Sequence, residues 1–426
     1  MIPISGWENT INYQNAQAGA ICALFDPGVI EDPYPFYREL LESAPVYQVP
    51  GTEVYLVSSW QLIHEVLRNQ KDYSANLTGI LITDAAGLPS LFDLSQFGGT
   101  VDAIANADEP FHAVHRKLVL PTLNARRVSA MEDEVKVWVR AAIARLLAGD
   151  GGDAVTVLAN PIPVKVMARL MGLPVDDVDL LLRWAFSGGD ILAGTTTLEG
   201  MLELAASTGE MRSYLQSHFE LGLSRDPASA TGSIIDELVK GVRAEQISEE
   251  EAVAIMIVLV GAAGESTSSL VGSAVRLLAQ DTVMQAELRM NSSLIEPYVE
   301  EVVRLESPFK GHYRVVLNET CLGGVNLPAG ARVFLQWAAA NRDPSVFSRP
   351  DTLDPARSDG GEHIGFGHGI HFCVGARLAR MEAKVILEEL LASTEEFSLS
   401  EAGPVKHVPS IFVRRLECLH LSVTPS

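Results

Sequence analysis

A cysteine ends a glycine-rich loop and opens a helix in the stretch Gly365-Phe366-Gly367-His368-Gly369-Ile370-His371-Phe372-Cys373-Val374-Gly375. Residues without Cβ tolerate backbone conformations and close contacts that others do not, so glycines at alternate positions let a chain turn tightly against a flat ligand. Over residues 376–392, Ala379, Ala383, Ile386, Leu387, Leu390 and Leu391 recur at three- and four-residue spacing, the stripe of an amphipathic helix. Cys373 therefore stands at a helix N-terminus, where unpaired N–H groups and the helix dipole favour the thiolate, the metal-binding form of sulfur. Two plainer readings stand beside this one. A lone cysteine is usually a small buried apolar residue. His363, His368, His371 and Cys373 are also a possible zinc set, although their spacing lacks a paired-ligand rhythm and leaves the glycines unexplained.

Two more constellations put charge in unusual places. Ser248-Glu249-Glu250-Glu251 is a capping box opening a helix over residues 249–279, which at about 1.5 Å per residue is long enough to cross a domain. Its first half is apolar all round and so should be buried. In its middle, Glu265 and the hydroxyls of Ser266, Thr267, Ser268 and Ser269 interrupt the apolar run after Gly261-Ala262-Ala263-Gly264. Buried charge is costly unless paired or used, and the hydroxyls can bond preceding carbonyls and bend the helix. Upstream, Pro110 near a first turn opens a helix on which His112 and Arg116 share a face. That pair suits an anionic group, although such spacing is more often a solvated face.

The loop residues Phe366, Gly367, Gly369, His371, Cys373 and Gly375, followed by Leu378-Ala379-Arg380 and Glu382, resemble the haem-binding signature of soluble bacterial cytochromes P450. The resemblance implies a mainly α fold with a small β-rich part, haem b held by Cys373 as axial thiolate, and Phe366 and Gly375 lying against the macrocycle. His112, Arg116, Arg314 and His371 would neutralise its two propionates. Ala262 to Thr267 resembles the family's acid-alcohol motif, with small residues leaving room for dioxygen and Glu265 and Ser266 delivering protons. Most members carry threonine where this chain has Ser266; serine lacks the methyl that restricts the hydroxyl rotamer, so Thr267 is a second candidate. Glu301 and Arg304 resemble the family's E-x-x-R pair, a structural brace. The usual third member is an arginine after a downstream proline. Here Pro350-Asp351 is followed by Thr352, and Arg357 is a possible substitute. Asn76, Leu77, Thr78, Ala262, Phe309, His312, Ile411 and Phe412 are substrate-lining candidates. The likeness runs from Asp32 to Val423 and looks closest to an orphan actinobacterial and mycobacterial subfamily, family 144-like.

The elements that must hold these residues follow from pattern. Residues 1–25 read as a flexible N-terminal arm and 26–426 as a single haem domain. Residues 52–58 read as a strand and 59–69 as a helix; 74–106 lack periodicity and resemble a long loop closing over substrate. Helices are expected over 128–148 and 163–171, and over 176–221 around a Gly/Thr-rich interruption at 187–197, the family's lid. Residues 310–316 read as a strand, 318–328 as a hairpin turning at Gly323-Gly324, and 409–415 as a tail returning to the cavity.

With 54 acidic residues against 32 lysines and arginines, a net charge of -22 argues against nucleic acid and anionic lipid as partners. The four cysteines are widely spaced and give no disulfide framework. No signal peptide or membrane anchor is evident, so the expected location is cytoplasmic. The expected activity is a monooxygenase reaction on a small apolar substrate with O2, driven by a ferredoxin or flavodoxin and an NAD(P)H-dependent reductase. His115, Arg116, Lys117, Arg126 and Arg127 form a local basic patch to dock that partner. Alternatives are oxidative coupling, peroxide-driven catalysis, or a non-catalytic haem protein that binds a ligand.

Overall fold

The Glu249–Ala279 helix is the spine of the molecule. Its capping box forms as the sequence expects: Glu251 N donates to Ser248 Oγ (3.1 Å) and Ser248 N donates to Glu251 Oε2 (2.7 Å). In this computed structural model, which describes residues 23–84, 86–94, 101–149 and 151–426, it is the one helix long and apolar enough to cross a bilayer, yet most of that apolar stretch is buried within the protein. Helices Pro161–Met171, Val178–Ala185, Leu198–Ser224, Ile295–Glu306 and Ala376–Ser393 pack around it. Ala376–Ser393 lies in turn along Ala125–Leu147. Their apolar stripes merge into one large core, and Gly172, at φ +88°, ends Pro161–Met171 in the left-handed conformation that glycine adopts without strain.

The β part is small. One sheet orders Val46–Gln48, Val54–Val57, Arg332–Leu335, His312–Val316 and Tyr73–Ser74 side by side. In another, His420–Pro425 lies between Thr394–Leu399 and Gly151–Asp153 and pairs with both. Thr320–Leu322 and Val325–Leu327 form the expected hairpin, turning through Gly323 and Gly324, both at positive φ.

Several expectations need correction. The segment read as a structureless loop carries an antiparallel hairpin, Gly79–Thr83 with Pro89–Asp93; the first strand buries three consecutive residues and the second is half-buried along most of its length, so neither shows a clean alternation. The lid interruption is itself helical over Ser187–Leu192. Of the N-terminal arm, residues 1–22 lie outside the described residues. Ala23–Phe25 is a docked turn, with Leu24 and Phe25 buried in the second core cluster beside Ile411 and Met201.

Candidate active site

An apolar cavity of about 740 Å³ lies between the spine helix, the lid helices and the cysteine loop. Cys373, His371, Phe366 and Gly375 form part of one wall, and Ala262, Glu265, Ser266 and Thr267 part of another. Leu77, Phe309, His312, Arg314 and Phe412 complete the set of expected residues that reach it.

The cysteine loop is built from local backbone bonds. Gly367 and Gly369 take φ +71°, a value side-chain-bearing residues avoid. Cys373 N donates to Phe366 O (2.8 Å), closing the loop three residues before the Ala376–Ser393 helix. Burial raises the Cys373 thiol, and this is opposed by N–H groups of Gly375 and Ala376 and by the charges of Arg116 and Arg380. The possible zinc set does not assemble. His363 Nε2 bonds Glu300 Oε2 (2.9 Å), His368 faces the His64 ring at 4.4 Å, and His371 faces the His112 ring at 4.1 Å. Among the described residues, no group of three or more His, Cys, Asp or Glu side chains is arranged to hold a metal ion.

Beside the loop lies a set of cationic and neutral nitrogen groups. His112 Nδ1 meets Glu109 Oε1 at 3.2 Å, while its buried Nε2 has no partner among the described residues. Arg314 is buried, and among the described residues its guanidinium bonds only Tyr313 O (2.6 Å) and His312 Nδ1 (3.5 Å); burial pulls its pKa down to about 10. Arg116 Nη1 donates to Phe372 O (2.8 Å). Burial, then the charge of Arg314, pushes His371 down to about 2 and keeps it neutral. An orphaned ring nitrogen and a buried guanidinium without a carboxylate are costly unless an anion completes them. These residues therefore fit a flat group that carries acidic substituents.

On the opposite wall, Glu265 is 1% exposed. Burial raises its pKa to about 8, against the pull of Arg415 and with a push from Asp190. Arg415 Nε donates to Glu265 Oε1 (3.1 Å) and Arg415 Nη2 to Asp190 Oδ1 (3.2 Å). The lid comes so close that a Cβ on Gly189 would lie 1.9 Å from Glu265 Oε2. Ser266 Oγ donates to Ala262 O (2.6 Å), the i−4 bond available to a hydroxyl on a helix. Sequence reasoning did not find Asp190, Gly189 or the role of Arg415, since all three reach Glu265 through tertiary packing.

Glu301 and Arg304 stand outside the cavity, behind the cysteine loop. Arg304 Nε and Nη2 pair with Glu301 Oε1 and Oε2 (2.7 and 2.9 Å), and its remaining N–H groups bond the carbonyls of Asn341, Pro350 and Thr352. The third member is Arg357, whose Nε lies 2.8 Å from Glu301 Oε2. Thr352 contributes only its carbonyl, to both arginines. Next to this brace, Glu300 clasps Arg380 (2.5 and 2.7 Å) and His363, fixing both ends of the cysteine loop.

Three lining candidates do not reach the cavity. Asn76 is bonded to Ser74 Oγ (2.6 Å) and Thr78 Oγ1 accepts from Arg332 (3.0 Å), which turns both toward the sheet. Ile411 is packed under Gly194 in the second core cluster.

A thiol-bearing loop facing a carboxyl and a hydroxyl on a long helix, with cations beside the thiol, is the arrangement of the haem-thiolate oxidoreductases. The comparisons with known proteins are specific. Residues 210–410 match the family model described as Cytochrome P450. Cytochrome P450 144 of Mycobacterium tuberculosis is 36% identical over 92% of this chain and 89% of the relative. Vitamin D(3) 25-hydroxylase of Pseudonocardia autotrophica is 29% identical over 94% of this chain and 96% of its own length. The structure of CYP109E1 from Bacillus megaterium in complex with testosterone superposes with a TM-score of 0.80 at 27% identity, covering 93% of this chain and 99% of that one. The chain belongs to the cytochrome P450 family, and its activity class is that of a monooxygenase.

Proposed function

We propose that this chain inserts one oxygen atom of O2 into an apolar organic substrate, using electrons from a ferredoxin or flavodoxin that an NAD(P)H-dependent reductase supplies. The observation that carries the reading is Cys373 facing Ala262 to Thr267 across one apolar cavity. Haem b, iron protoporphyrin IX, bound through the cysteine sulfur, supplies the one-electron and dioxygen chemistry.

The chain's own residues do the rest. Cys373 would hold the haem through its sulfur, and the N–H groups of Gly375 and Ala376, which oppose the effect of burial on the thiol, would favour the thiolate form that binds metal. Arg314, Arg116, His112 and His371 would hold the two propionates, Arg314 and Arg116 by charge and the histidines as neutral donors. Glu265 keeps its proton up to about pH 8, so at neutral pH it can hand one to the cavity. Ser266, rather than Thr267, passes it on, because its hydroxyl is already oriented by Ala262 O at the cavity wall. Apolar walls exclude water, and Leu77, Phe309 and Phe412 orient the substrate. Residues 26–426, with the docked turn before them, act as one haem domain, and a cytoplasmic location is consistent with the burial of the long apolar helix.

The test is spectroscopic. Reduced protein under carbon monoxide should show the red-shifted thiolate band, and Cys373→Ala should lose it. A wild-type protein without that band would overturn the assignment. Product analysis with peroxide against NAD(P)H plus redox partners separates monooxygenation from peroxide-driven or coupling chemistry.

A further inference from the structure

Most ionisable residues of the cavity wall already have a task. Cys373, His368, His371, His312 and Arg314 belong to the cofactor side and Glu265 to the relay. Arg212 belongs to neither. It stands on the lid helix Leu198–Ser224, whose cavity face runs through Met201, Ala205, Thr208 and Arg212, the spacing of a single helical face.

The guanidinium of Arg212 has no ion-pair or hydrogen-bond partner among the described residues. Its own helix offers none, since positions three and four residues away are Thr208, Gly209, Leu215 and Gln216. This holds in a chain where acidic residues outnumber basic ones 54 to 32. Arg212 is exposed and part of the wall, as are Ala205 and Gly209 of the same helix. Met201, at the other end of the face, packs in the cluster that contains Phe412 and Leu192, and Phe412 lies 5.0 Å from Phe309 and 6.0 Å from His312, ring to ring. The Met201 end therefore belongs to the cluster that holds Phe412 beside His312. The two ends are about 16 Å apart along the helix at roughly 1.5 Å per residue. The wall between them is largely apolar, including Leu170, Met171, Ile234 and Ile257.

We propose that the substrate is an amphipathic anion. Its extended apolar body lies along the lid wall, and Arg212 binds its carboxylate, sulfate or phosphate-ester end by paired N–H···O bonds. Oxidation then falls on the apolar part remote from the anion. This deepens the monooxygenase reading above and rests on it.

The experiment uses the haem-loaded protein and chains of ten to fourteen carbons in matched series: carboxylate, alkyl sulfate, alkyl phosphate, primary alcohol and alkyltrimethylammonium. Affinity is read by the spin-state shift of the Soret band and, independently of the haem, by calorimetry. An anion should bind at least tenfold tighter than the matched alcohol, and the best headgroup among the three identifies the natural one. Arg212→Gln should bring that ratio to near one, Arg212→Lys should restore most of it, and Arg212→Glu should favour the ammonium. No preference for anions in the wild type, or the same preference in Arg212→Gln, overturns the proposal. A wild type with the thiolate–carbon monoxide band and no anion preference overturns the anion site alone; absence of the band overturns the haem-thiolate reading itself.

Discussion

Glu265 shows what a single buried carboxyl imposes on the whole chain. Its pKa stands at about 8 in the fold against an ordinary value of 4.5, chiefly because burial penalises the anion and because Asp190 shares Arg415 with it. Between those two pH values the folded chain retains a proton that the unfolded chain has lost. Stability therefore falls as pH rises through the window and levels off above it. Glu265→Gln keeps the shape and removes the titration. Urea unfolding at pH 5, 6.5 and 8 should show the variant gaining on the wild type by a few kcal/mol as pH rises; parallel curves would show that the group titrates normally. The same substitution should leave the thiolate–carbon monoxide band in place while slowing turnover by tenfold or more, since general acid catalysis contributes about 10²–10⁴-fold.

The elements behind the cysteine loop are held by polar rather than apolar contacts. Arg304 is fully buried, and Glu301 joins it to Arg357 and to the backbone N–H of Asp354 (3.0 Å). Removing one partner of a buried ion cluster leaves the others uncompensated, at about 3–5 kcal/mol. Arg357→Ala should accordingly lower stability by an amount near that range and release haem more readily, both measurable by thermal unfolding and by haem transfer to a scavenger protein. Thr352→Ala should do neither, because only the Thr352 carbonyl takes part. The lid depends on a different contact. Ser187–Leu192 approaches the spine helix closely only because Gly189 carries no Cβ against Glu265.

At the scale of the molecule, the cysteine-side face is the surface proposed to dock a redox partner. Phe372, 42% exposed, stands directly before Cys373. The basic patch expected around it is smaller than its sequence suggests. His115 is buried with Nε2 3.5 Å from Glu251 Oε1, Arg116 is bonded to Phe372 O, and Arg127 is turned onto the carbonyls of Gly232 and Thr231. Lys117 and Arg126 remain exposed. Because rim charges govern association rate more than affinity, converting both to glutamine should slow reduction by an acidic ferredoxin several-fold and flatten its salt dependence, with substrate affinity unchanged. An unchanged rate in stopped-flow reduction at low salt would remove the docking role.

The amino-acid sequence by itself determined what rests on neighbours along the chain. The glycine pattern before Cys373, the capping box at Ser248, the helix stop at Gly172 and the hairpin at Gly323-Gly324 all use contacts within a few residues, and such contacts are written in local order. Only the tertiary structure decided what meets across the core. It set Arg415 and Asp190 on Glu265, chose Arg357 rather than a residue near Thr352 to complete the Glu301 pair, withdrew Asn76, Thr78 and Ile411 from the cavity, buried His115, and left Arg212 on the cavity wall without a partner among the described residues. Those outcomes depend on which helix faces which, and residues hundreds of positions apart carry no periodic signal of their meeting.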